Sequence, residues 1–139
     1  MDDKGHSGLL DNDFCFACGA LNPLGLHLQF TIDGEGLEAS FTPAQHLQGF
    51  AGVMHGGIAA VILDDLMNNL ITRKCGKLVV TGKLEVRYRK PVPIGSNLTC
   101  RAHITGERRG LYNAEAKLVD AENGDVFVEA TSVQMVMRS

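Results

Sequence analysis

Several absences narrow what this 139-residue chain can be. Its longest apolar stretch, Ile58 to Leu63, is far short of the roughly 20 residues that a bilayer span needs, so no membrane partner is expected. The opening residues Met1-Asp2-Asp3-Lys4 are polar and lack the apolar centre of a signal peptide, from which a cytoplasmic location is expected. No Lys/Arg-dense run is present and the formal net charge is −3, so the basic footprint that nucleic acid would require is missing. There are four cysteines, expected as reduced thiols in the absence of a secretory signal. Cys15 and Cys18 have the C-x-x-C spacing, but no second ligand pair lies close by in sequence and no metal or cofactor is predicted. A redox role would place that motif at the start of a helix after a strand, whereas Phe14 to Pro23 is punctuated by Gly, Asn and Pro. The pair reads as a structural loop, the main alternative being a metal shared between subunits. Repeats, low-complexity segments and linkers are also absent, so one domain over 14–139 behind a mobile tail at 1–13 is expected.

What is present alternates. Leu26 to Ile32 reads as a strand, Asp33-Gly34-Glu35-Gly36 as a turn and Leu37 to Phe41 as its hairpin partner, followed by a loop from Pro43 to Gly49. From Gly56 to about Arg73 the apolar residues recur at helical spacing over nearly the whole surface, which predicts a largely buried helix ending at Gly76. Leu78 to Tyr88 then alternates at period two, with Leu78, Val80, Leu84, Val86 and Tyr88 expected inward. Strands over 97–106, 111–119 and 125–137 follow, separated by turns at 107–110 and 120–124, the second carrying an Asn-Gly signal. Two strands, one apolar helix and four more strands predict an α+β fold, an antiparallel sheet of five to six strands wrapped around the helix.

The chemistry concentrates in Gly52 to Asp64. Gly56 and Gly57 leave the first N–H groups of the helix uncovered, so a carbonyl oxygen can approach both these donors and the positive end of the helix dipole. Asp64 supplies a base, but at 1.5 Å rise per residue it lies about 12 Å further along the axis. No single substrate carbonyl reaches both. Either one group is irrelevant, or two antiparallel copies of the helix face each other in a homodimer with two equivalent sites. Asp64 and Asp65 diverge by about 100° around the helix, and spacing alone does not choose between them. His55 at the helix start reads equally as a structural hydrogen-bonder or as a substrate contact.

The pattern G-x-x-H-G-G with Asp nine residues after the His resembles the hotdog-fold acyl-CoA thioesterases of the phenylacetate-degradation type. Thr81 to Gly95 (T-G-K-L-E-V-R-Y-R-K-P-V-P-I-G) is similar to that family's long strand and following turn, and the leader Cys15 to Leu26 resembles one seen in a branch of it. The resemblance implies hydrolysis of an acyl-CoA at a site built from two chains, in a homodimer or a dimer of dimers. It selects Asp64 as the catalytic acid, the Gly56 or Gly57 amide as oxyanion donor and Thr81 as the residue that orients the water. It also implies an amide upstream of the His. Relatives often carry Asn six residues before it, where this chain has Gly49, and Gln48 beside it takes that place. CoA phosphates call for cations at the site mouth, for which Arg89 and Lys90, and Arg108 with Arg109, are candidates; a solvated sheet edge is the alternative reading. Two competing functions stand beside the thioesterase: a hotdog enoyl-CoA hydratase or dehydratase using His55 with Asp64, and a non-catalytic acyl-CoA-binding module.

Overall fold

In the computed structural model, which describes residues 12–137, the sheet has six antiparallel strands: β1 (Thr31–Asp33), β2 (Gly36–Phe41), β3 (Val79–Tyr88), β4 (Leu98–Arg108), β5 (Leu111–Asp120) and β6 (Val126–Val136). Their spatial order is β1-β2-β4-β5-β6-β3, with one helix, α1 (Gly56–Cys75), packed across β2 to β6. Most of the expected 1–13 tail, residues 1–11, lies outside the described residues, as do the last two positions of the expected domain. The expected α+β outline is the one observed.

The helix forms where its apolar residues recur and where both ends are capped. His55 is the N-cap, and Gly76, in the left-handed region, returns its N–H to Thr72 O. Ile62, Leu63, Leu66, Met67 and Ile71 are fully buried against the sheet. Burying each such side chain contributes about 2 kcal/mol. The remaining surface is not apolar all round: Asp64 with Asn68, and Asp65 with Asn69, form two half-buried polar rows one turn long.

Three boundaries differ from the sequence reading. Leu26 and Leu28 point inward as their alternation requires, but Leu26 N–H and Leu28 N–H bond to Phe16 O and Ala17 O of the leader loop. With those donors engaged there, strand pairing begins only at Thr31. The turn expected at 107–110 is tighter: Arg108 pairs with Leu111, leaving Arg109 and Gly110, both with positive φ, as the two-residue loop that matches strand twist.

The third difference moves a candidate site residue. β3 pairs with β6 through Thr81↔Gln134 and then Lys83↔Val133, so Gly82 is an extra residue that makes a bulge. One inserted residue reverses the phase of a period-two pattern. Val79 and Thr81 therefore face the helix in place of Leu78 and Val80, whereas Leu84 and Val86 keep their expected side.

Candidate active site

The segment before α1 is fixed by its backbone. Met54 N–H bonds to Val92 O at 2.8 Å, His55 N–H to Leu47 O at 2.8 Å, and Ile94 N–H to Gly52 O at 2.9 Å, which clamps the helix start against the 91–94 turn. Gly57 N–H donates to His55 Nδ1 at 2.8 Å, so the histidine satisfies one of the orphan donors of the first turn. With Nδ1 accepting, a neutral ring carries its proton on Nε2, and its basic nitrogen is occupied. No acceptor among the described residues meets Gly56 N–H. The sequence left Gly56 and Gly57 equivalent; the cap leaves Gly56 as the donor still free.

Gly56 also requires its missing side chain. Tyr88 Oη–H donates to Gly56 O at 2.7 Å, and a Cβ on Gly56 would lie 3.3 Å from that phenol ring. Tyr88, at the end of β3, thus sits over the helix start; it is 53% exposed, where the alternation of β3 predicts an inward side chain. A cavity of about 600 Å³ opens here. Its wall includes His55, Gly56, Ala59, Tyr88, Arg89 and Lys90. Phe50, 87% exposed, stands on the same wall.

Asp64 does not line that cavity. Its Oδ1 accepts from Thr81 Oγ1 at 2.7 Å and from Gln134 Nε2 at 3.5 Å. Gln134 is fully buried. Its Oε1 accepts from Asn68 Nδ2 at 3.0 Å and its Nε2 donates to Ser132 Oγ at 3.1 Å. Thr81 Oγ1 also lies 3.2 Å from Gln134 Oε1, but a hydroxyl has one proton and the shorter contact takes it. No donor among the described residues reaches Asp64 Oδ2, so the carboxylate is held by one oxygen and open at the other. Gln134 and Asn68 were missed by sequence reasoning. A signal existed, since Ser132 and Gln134 are polar residues at inward positions of β6.

The other predicted residues scatter. Gln48 accepts from Gly52 N–H at 3.1 Å and bridges to Met54, which supports the loop and keeps it off the cavity wall. Arg89 and Lys90 do reach the cavity mouth, each ion-paired, Arg89 with Glu129 and Lys90 with Asp125 at 2.9 Å. Arg108 and Arg109 lie at the β4–β5 turn, away from the cavity.

On the neighbouring face of α1, about 100° around the axis from Asp64, Asp65 meets the leader. Cys15 Sγ donates to Asp65 Oδ1 at 3.6 Å, and Cys15, Cys18 and Asp65 place one ligating atom each within 4.8 Å of one another. Burial pushes the Asp65 carboxyl above the usual carboxylate range, against the hydrogen bonds from the two thiols. Burial likewise pushes the Cys18 thiol well up, and the adjacent Asp65 charge adds to this. The sequence reading found no further ligand beside Cys15 and Cys18; the fold brings one from 50 residues away.

The structure thus sets one helix against a six-stranded antiparallel sheet, with a cavity at the helix's glycine-rich start and an acid two turns in. The model of the thioesterase superfamily matches residues 51–127, more than half of the sequence, and the chain belongs to that family. Among curated proteins it is similar to protein VdlD of Helicobacter pylori, 35% identical over 82 residues. That match takes in 56% of this chain and 47% of VdlD, so the chain spans about half the length of the curated relatives it matches. Among solved structures, the thioesterase superfamily protein RHA08564 has a TM-score of 0.80 at 22% identity, covering 90% of this chain and 61% of the other. The Escherichia coli PaaI protein of the phenylacetic acid degradation operon gives 0.75 at 13% identity, covering 82% of each. The smu.793 protein of Streptococcus mutans, crystallised bound to acetyl CoA, gives 0.72 at 15% identity, covering 79% of this chain and 88% of the other. At these identities the likeness establishes the hotdog fold.

Proposed function

We propose that the protein is an acyl-CoA thioesterase that works as a homodimer, with the Gly56 amide of one chain and Asp64 of the other converging on one thioester. The observation that carries this reading is the division of the site. The free amide opens on the 600 Å³ cavity, whereas Asp64 sits about 12 Å away along the helix and off that cavity. Two antiparallel copies of α1 supply both groups to each of two sites. The half-buried polar row of Asp64 and Asn68 is the surface such a partner would cover.

In this mechanism the thioester carbonyl oxygen accepts from Gly56 N–H, which stabilises the developing oxyanion at the positive end of the helix by about 3 kcal/mol. Thr81 and Gln134 hold Asp64 Oδ1. The free Oδ2 takes a proton from water as the water oxygen attacks the carbonyl carbon, the C–S bond breaks, and Asp64 returns that proton to the sulfur so that CoA leaves as the thiol. Direct attack by Asp64, giving an anhydride that water then opens, uses the same residues. CoA as the thiol is supported by Arg89 and Lys90 at the cavity mouth and by the acetyl CoA bound to a protein of the same fold.

The hydratase reading needs His55 as a base, and its Nδ1 is engaged by Gly57 N–H. The test is a panel of acyl-CoAs assayed for free thiol with light scattering on the same sample. Thiol release by a dimer, lost in Asp64→Asn, supports the proposal. Enoyl-CoA hydration without thiol release, tight acyl-CoA binding without turnover, or a fully active monomer would overturn it.

A further inference from the structure

We propose that Cys15, Cys18 and Asp65 form a zinc site that fastens the leader loop to the face of α1 next to that of Asp64. The sequence alone reads the motif as a structural loop, because no second ligand pair lies nearby; the fold adds a third donor from the same chain. Two thiolates and a carboxylate are a donor set that suits Zn²⁺. With Zn–S about 2.3 Å and Zn–O about 2.1 Å, a tetrahedral ion sets its sulfur and oxygen ligands about 3.6 Å apart. Cys15 Sγ and Asp65 Oδ1 are 3.6 Å apart, and all three donor atoms fall within 4.8 Å. A tetrahedral ion then has one position left for water.

Two further features point to a ligand and not to a thiol–carboxylate contact alone. Asp65 Oδ2 is buried and has no hydrogen-bond partner among the described residues, a situation that native folds resolve with a donor, a water or an ion. The loop is also built as thiolate-binding loops are. Cys18 N–H points at Cys15 Sγ at 3.5 Å, Asn12 Nδ2 at Cys18 Sγ at 3.6 Å and Asn69 Nδ2 at the same sulfur at 4.0 Å. N–H donors aimed at sulfur stabilise the charged thiolate that a metal needs. Gly19 closes the loop by donating to Cys15 O at 2.8 Å, and a Cβ there would lie 2.3 Å from Cys15 N and 2.5 Å from Asp13 O. Only glycine lets the loop fold this tightly around the two sulfurs.

The test uses the full chain, purified under reducing conditions, equilibrated with excess zinc and desalted. The expected result is one zinc per chain by elemental analysis, lost in Cys15→Ser/Cys18→Ser and in Asp65→Asn and kept in Cys75→Ser. Cobalt in place of zinc should give thiolate-to-metal charge-transfer absorption that the double variant lacks. Because the leader variants could fold poorly, a second measurement uses the unaltered chain: zinc should protect two thiols from a thiol reagent until a chelator is added, and the chelator should lower Tm reversibly. Substoichiometric metal after loading, zinc content unchanged by those substitutions, or a Cys15–Cys18 disulfide that persists under reducing conditions would each overturn the site.

Discussion

Asp64 and Asp65 are neighbours in sequence, share one helix and one acidic chemistry, and live in opposite surroundings. Asp64 is held at one oxygen by a threonine hydroxyl and a glutamine amide and is open at the other. Asp65 faces two thiols, and its second oxygen is buried without a partner among the described residues. The 100° step of a helix is enough to assign the two acids to different faces. What an acid does is then set by the strand or loop packed against its face: β3 and β6 for Asp64, the leader for Asp65.

The largest expected effect separates the two acids directly. Asp64→Asn removes the proposed base and should lower kcat for thioester hydrolysis by about 10² to 10⁴, measured by free-thiol release, while the proposed dimer and zinc site persist. Asp65→Asn should lose the zinc and lower kcat by at least ten times less. Equal losses from the two substitutions would dissolve the comparison. Next in size is a change that strikes both faces at once. Leu66, fully buried where α1, which carries both faces, packs on the sheet, leaves a cavity in Leu66→Ala that should cost about 3 kcal/mol of stability in denaturant unfolding. A loss below about 1 kcal/mol would mean that α1 is not the common support of the two sites.

A third change touches one face only. Thr81→Val keeps shape but removes the hydroxyl bonded to Asp64, and a hydrogen bond to a charged group is worth about 1.5 kcal/mol, so kcat should fall roughly tenfold. Zinc content should not change. An unaffected kcat would show that Gln134 alone orients the carboxylate.

How much of this was legible depended on whether the informative signal was local. The helix, its glycine start and the succession of elements along the chain follow from periodicity and turn residues, and they are observed. Thr81 was assigned through family resemblance, because the alternation in β3 places Val80 inward and only the bulge at Gly82 brings Thr81 to face the helix. A bulge depends on pairing with β6 and leaves little trace in one strand. Gln134 did leave a trace, as a polar residue in the inward phase of β6. The Asp65 contact left none, since a ligand 50 residues from Cys15 is visible only once α1 and the leader are docked. The choice of Gly56 over Gly57 rests on one side-chain rotamer, that of His55, which sequence spacing does not fix.

The smallest expected effect lies outside both faces, at the cavity mouth. Arg89 and Lys90 are more than half exposed and already paired, with Glu129 and Asp125, so a CoA phosphate would join or replace carboxylates that compete for the same charge. Exposed pairs of this kind are worth about 0.2 to 1 kcal/mol. Replacing both residues with Gln should therefore raise KM for acyl-CoA roughly two- to fivefold. Because the phosphates lie far from the reacting carbonyl, the loss falls equally on ground state and transition state, and kcat should hold. Screening supplies the control: the difference between parent and variant should shrink as ionic strength rises and the Debye length falls below about 8 Å. A KM that stays at the parental value at low salt would assign the two cations to the sheet edge alone, with Glu129 and Asp125 as their only partners.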